Sequence, residues 1–139
     1  MRLKIKKTGS FKASQKYLDL IANSKVYDVA IDTPISFAAS LSSKLKNEVF
    51  LKREDLQPIF SFKIRGAYNK ISNLSTAQQK RGVLTASAGN HAQGVANACK
   101  KLKIPCLIVM ALTTPEIKVK SVKRFGAKVL LFGDNYDQA

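Results

Sequence analysis

The sequence predicts an α/β fold: an open, mainly parallel sheet with helices on both faces. Three observations carry that expectation. From residue 48 onward, short strand patterns alternate with helical ones. Cys106 to Met110 is almost continuously apolar, the pattern of a central parallel strand covered on both sides. The segments between strands are long enough to be helical crossovers, which join parallel strands right-handedly.

Taken in order, Ser14 to Ala22 spaces Tyr17, Leu18 and Ile21 for a short peripheral helix. Asp32-Thr33-Pro34 marks a turn, and Phe37, Leu41 and Leu45 form a helical stripe across Ser36 to Leu45. Glu48 to Lys52 reads as a first strand, and Arg53 to Ile59, with Pro58, as loop. From Ser61, a plausible cap, Ile64, Ala67, Tyr68, Ile71 and Leu74 recur at helical spacing until Asn73 to Ser75 ends the helix. Gly82 to Ala86 is a second strand. His91 to Lys101 is a helix burying Ala92, Val95, Ala96 and Cys99, with Gly94 allowing close packing. After the Cys106 strand, Thr114 is placed to cap a helix with Pro115 in its first turn, Val119, Val122 and Phe125 inward and Gly126 past its end. Lys128 to Phe132 is the fourth strand. The stretch from Gly133 to Ala139 looks like turn formers opening another helix, which suggests a fragment of an alternating pattern.

A length of 139 residues, 45% hydrophobic and 24% charged, suits one ordinary globular domain. The longest apolar run, Cys106 to Leu112, is too short to cross a bilayer. Met1 to Lys7 alternates lysine with apolar residues and lacks a signal-peptide core, so a cytoplasmic location and no membrane partner are expected. The net charge of +15 invites a polyanion. Its basic residues lie at outward helical positions, without interleaved aromatics for base stacking, so nucleic acid is not the expected partner. Cys99 and Cys106 read as core thiols. With one histidine and two cysteines in no ligand spacing, no metal site is expected.

Two segments carry chemistry. Lys63 begins a helix directly after an irregular stretch. The positive helix end and partial burial beside Phe60 and Phe62 would disfavour its ammonium form, which suits Schiff-base formation. Ser87-Ala88-Gly89-Asn90-His91 lies at the carboxyl end of a parallel strand, where open α/β sheets bind ligands. Its helix-start N–H groups, the Ser87 hydroxyl and Gly89 suit a carboxylate or phosphate. On these residues alone, a surface lysine and a turn capped by Asn90 are the alternatives. Both segments are expected beside adjacent strands of one sheet. A reactive amine facing an anion loop fits amino-acid chemistry on pyridoxal phosphate.

Three segments are together specific. Lys52-Arg53-Glu54-Asp55-Leu56-Gln57-Pro58, Ser61-Phe62-Lys63-Ile64-Arg65-Gly66-Ala67-Tyr68-Asn69 and Ser87-Ala88-Gly89-Asn90-His91-Ala92-Gln93-Gly94-Val95-Ala96 resemble, in order, the signatures of threonine dehydratases, members of the fold-type II pyridoxal phosphate enzymes. The lead-in resembles the biosynthetic type. The resemblance runs from about Tyr17 to Ala139. Residues 1–13 are then a basic flexible leader, and 14–139 the amino-terminal part of a catalytic domain.

The resemblance implies that Lys63 holds the cofactor aldehyde, Phe62 flanks its ring and Asn90 hydrogen-bonds its phenolic oxygen. Ser87, Ala88, Gly89 and His91 would receive the substrate carboxylate, chiefly through backbone donors. His91 is expected to cap or pack rather than act as a base, and Arg65 to support the site through an ion pair. The implied reaction is deamination of L-threonine to 2-oxobutanoate and ammonia, which starts isoleucine synthesis. A homo-oligomeric full-length form is also implied. The family's phosphate-cradling glycines, its pyridine-nitrogen partner and its regulatory domain correspond to positions past Ala139. Met110-Ala111 departs from the family's methionine-proline. Competing readings are a serine or threonine dehydratase or racemase of the same fold, and an inactive truncated remnant.

Overall fold

A computed structural model describes the backbone of residues 11–139 and the side chains of residues 15–139. The expected leader thus lies outside the described residues as far as residue 10. Beyond that, helix α1 (Phe11–Ala22) already begins at Phe11 rather than Ser14. Tyr17, Leu20 and Ile21 line a shallow hollow against Tyr27, Arg65 and Asn69, so α1 packs at the periphery.

The stretch from residue 35 to 52 differs from its sequence reading. Ile35–Phe37 is a strand, β1, and only Ala39–Leu45 is helical, α2. Strand β2 (Phe50–Lys52) pairs with β1 antiparallel, in register Phe37↔Phe50. The aromatic pair accounts for the difference. The Phe37 and Phe50 rings meet across the strands with centroids 5.4 Å apart, so Phe37 serves a ladder rather than a helical stripe. The first expected strand therefore belongs to a separate two-stranded sheet, not to the parallel one.

The parallel sheet has order β3-β4-β5, from Val83–Ala86, Cys106–Met110 and Lys128–Leu131. Thr85 pairs with Ile108, which pairs with Val129, so the three share a face. On that side pack α3 (Lys63–Ser72), α5 (Asn90–Leu102) and α6 (Glu116–Lys123). One core cluster joins Tyr68 and Ile71 of α3, Val95, Ala96 and Cys99 of α5, Ile108 and Met110 of β4, and Val119 and Val122 of α6. A smaller cluster of Ala30, Ile59 and Ile64 sits under the start of α3. On the opposite face of the sheet, Leu84 and Leu130 are exposed.

Cys99 is buried and Cys106 half-buried, the core placement expected of them. The neighbouring Cys106 thiol, together with burial, pushes the Cys99 thiol up.

Helix α4 (Thr76–Arg81) was not expected. Its signal is Ser75-x-x-Gln78: the Ser75 Oγ accepts from the Gln78 N–H at 3.3 Å, and the Gln78 side chain accepts from the Ser75 N–H at 2.9 Å. Thr114 does not cap α6. Pro115 occupies the cap position without a side-chain bond, and its carbonyl accepts from the Lys118 N–H. Residues 133–139 form turns, closed by the Asp134 N–H donating to the Gln138 side chain, rather than opening a helix.

Candidate active site

Lys63 is the first residue of α3, and Phe62 rather than the expected Ser61 holds the cap position, although the Ser61 Oγ accepts from the Lys63 N–H at 3.3 Å. The expected burial of the amine is absent. Lys63, Phe60 and Phe62 are all exposed, and the Lys63 Nζ lies 5.2 Å from the centre of the Phe62 ring, a contact that attracts a cation. The turn before it is strained. Phe60 holds φ +56°, the left-handed region, where an aromatic side chain is an outlier. Buried neighbours on either side hold it there: Gln57 and Ile59 before it, Ser61 after it.

The donor loop follows β3. The Ser87 N–H donates to the Val109 carbonyl, extending the β3–β4 ladder, and the Gly89 N–H reaches the Ser87 Oγ at 3.4 Å. Gly89, not Asn90, occupies the cap of α5, and no side chain caps it. The N–H groups of Asn90, His91 and Ala92 therefore point outward without an intrahelical acceptor. A Cβ added to Gly89 would meet nothing within 4 Å, so the approach to these donors is open. The Asn90 side chain is exposed and makes no hydrogen bond among the described residues. His91 neither caps nor is buried. It lines a groove with Gly66, Ala67, Thr85 and Val95, whereas Ser87 and Ala88 line a different hollow with Thr113, Thr114 and Asn135.

Lys63 and this loop are brought together by helix packing, not by adjacent strands. A Cβ on Gly94 would lie 3.0 Å from the Lys63 carbonyl oxygen. Gly94 is one turn past Asn90, about 6 Å along the axis, so the Lys63 main chain sits beside the first turn of α5.

Sequence reasoning treated residues 52–58 only as a family mark, whereas in the structure they brace α3. Arg65 forms the expected ion pair, and its partner is Glu54, through two parallel bonds of 2.9 Å. Glu54 also accepts from the Thr33 hydroxyl at 2.7 Å and from the Gln57 amide. Gln57, 1% exposed, exchanges two hydrogen bonds with the Ile31 main chain. Lys52 donates to the Thr33 carbonyl and reaches Asp32. The Arg65 guanidinium, helped by Thr33 and Gln57 against the cost of burial, holds the Glu54 carboxyl down to about 2. The signal for this network was a carboxylate and an amide three residues apart, ahead of an arginine.

The profile of the family described as pyridoxal-phosphate dependent enzyme matches residues 26–139. The biosynthetic, chloroplastic threonine dehydratase of Arabidopsis thaliana is 53% identical over 131 residues, 94% of this chain and 22% of that protein. The processed form of threonine deaminase isoform 2 from Solanum lycopersicum superposes with a TM-score of 0.87 at 49% identity, over 94% of this chain and 38% of that one. Maize serine racemase superposes with a TM-score of 0.80 at 32% identity, over 89% of this chain and 37% of that one. The chain thus spans about a fifth of its curated relative's length.

Proposed function

The chain belongs to the pyridoxal-phosphate dependent enzymes, and from that premise we propose that it supplies Lys63 and the 87–91 loop to a site that deaminates L-threonine to 2-oxobutanoate and ammonia. The observation that supports the proposal is the seating of Gly94 on the Lys63 carbonyl, which brings the Lys63 main chain beside the first turn of α5.

These residues fit the cofactor at its aldehyde and ring. Lys63 would hold it through Nζ, Phe62 would flank it, and the unengaged Asn90 amide would hydrogen-bond its phenolic oxygen. Bound pyridoxal phosphate would supply an electron sink for the charge left at the substrate's α-carbon. The chain's own part is positional and protolytic. The loop from Ser87 to His91 presents N–H donors and a helix dipole to the substrate carboxylate. The Lys63 Nζ, on a mobile four-carbon stem, takes the α-proton once released. Gly89 keeps the approach clear. No phosphate contact is assigned to these elements, since the seven glycines stand singly.

Threonine is favoured over serine by the higher identity to the threonine deaminase than to the serine racemase. The biosynthetic subtype, hence the first step of isoleucine synthesis, is supported by the Arabidopsis relative's name. No described helix is long and apolar enough to cross a membrane. A cytoplasmic setting is part of the proposal, to be decided by fractionation, because the Arabidopsis relative is described as chloroplastic.

The test is to supply pyridoxal phosphate and L-threonine and assay 2-oxobutanoate, with Lys63→Ala as control. The proposal expects product that is lost on substitution. D-serine or pyruvate formed from L-serine in its place would support the racemase or serine-dehydratase reading.

A further inference from the structure

We propose that Glu54 is a positioning residue for the Lys63 amine, acting through Arg65 to fix the first turn of α3 against the 27–33 segment. The inference rests on the reading of Lys63 as the reactive amine and adds what holds it in place.

The geometry is that of a clamp. Arg65 stands two residues after Lys63, in the same helical turn, and its guanidinium is gripped on three sides. Glu54 takes Nε and one terminal nitrogen at 2.9 Å each, the Ile31 carbonyl accepts from the same terminal nitrogen at 3.2 Å, and the Tyr27 ring lies 5.2 Å from the guanidinium carbon. Glu54 is itself immobilised. Its two oxygens also receive Thr33, which is 3% exposed, and Gln57, which is 1% exposed. Three segments thus meet at one carboxylate, which ties them to the amino end of α3, while Tyr68 farther along the helix donates to Asp28 of the 27–33 stretch at 2.7 Å.

The need for such a clamp follows from the surroundings. Lys63 is exposed, its flanking Phe60 and Phe62 are exposed, and the preceding turn carries a left-handed Phe60. Ile64 is the nearest buried apolar anchor, in a cluster of only three buried residues. Ile64 and the Gly94 contact seat the main chain of this turn, and a bidentate pair with fixed angles adds a direction that apolar contact does not specify. Misplacing a reacting group by an ångström costs up to about a hundredfold in rate.

The probe is pyridoxal phosphate at limiting concentration, followed by borohydride reduction and peptide mapping, read as the ratio of label on Lys63 to label on Lys70. Lys70 is exposed on the same helix and serves as internal reference. The unfolding midpoint is measured in parallel. The inference expects Glu54→Gln and the milder Arg65→Lys to lower the ratio, the former about tenfold, and Glu116→Gln, in an exposed pair with Lys120, to leave it unchanged. The double variant Glu54→Gln, Arg65→Met leaves no buried charge unpaired. It should regain the unfolding midpoint while the ratio stays low. A ratio that recovers with the midpoint would show the pair to be merely structural and overturn the inference, as would an unchanged ratio in both single variants. A wild-type ratio near one would instead overturn the reading of Lys63.

Discussion

Gly94 of α5 lies so close to Lys63 of α3 that a single added methyl would stand 3.0 Å from the Lys63 carbonyl oxygen and 3.2 Å from the Ala67 Cβ. Backbone is what it would strike, so the helices would have to part. Gly94→Ala is therefore expected to cost about 1–3 kcal/mol, the range for overpacking. Gly89→Ala, with nothing within 4 Å and an ordinary φ of −122°, should change stability by less than about 0.5 kcal/mol. Urea unfolding of the two variants checks the contrast.

Glu54 sets an acid limit. Its folded carboxyl is held at about 2, well below the ordinary value near 4.5, chiefly by Arg65. A depressed folded value means that stability from this group is fully present above about pH 4.5, and is lost as pH falls from there to about 2. In Glu54→Gln that increment is missing. The difference in unfolding free energy between wild type and variant should be constant above pH 5 and shrink below it.

Phe60 offers a stabilising substitution. Its side chain is 69% exposed while its φ is +56°, so the aromatic gains little from burial and bears the steric cost of a left-handed backbone. Asparagine tolerates that region far better. Phe60→Asn is expected to raise the unfolding free energy by about 0.5–1 kcal/mol, measured by thermal or urea denaturation.

The helix missing from the sequence reading has its own test. Ser75→Ala removes both the Oγ acceptor and the reciprocal Gln78 arrangement, and should cost about 1 kcal/mol. Ser72→Ala, whose hydroxyl only reaches back to the Asn69 carbonyl at 3.4 Å, should cost much less.

What could be read from residues alone follows the strength of each local pattern. β4 was legible to the residue because a buried parallel strand is apolar throughout, and α5 nearly so because its small and apolar residues line one face. Phe37 misled because its decisive partner, Phe50, is thirteen positions away and lies across a strand pair. Ser75 and Gln78 were overlooked although they lie only three positions apart: the helix they start is only six residues long and buries none of its side chains. At the candidate site, the position of Lys63 at a helix start and the loop before α5 were readable. The exposure of Lys63 was not, because burial depends on what else approaches. Nor was the carboxylate of Glu54, which depends on Thr33 and Arg65 arriving from opposite sides in sequence.

The central claim is that one amine, on Lys63, reacts ahead of every other lysine in a strongly basic chain. The direct measurement is borohydride reduction of the protein with pyridoxal phosphate, followed by mass mapping of the labelled peptide. Label concentrated on the peptide carrying Lys63, and abolished there by Lys63→Ala, is the predicted result. Label spread evenly over the exposed lysines, or concentrated on another one, would contradict the account.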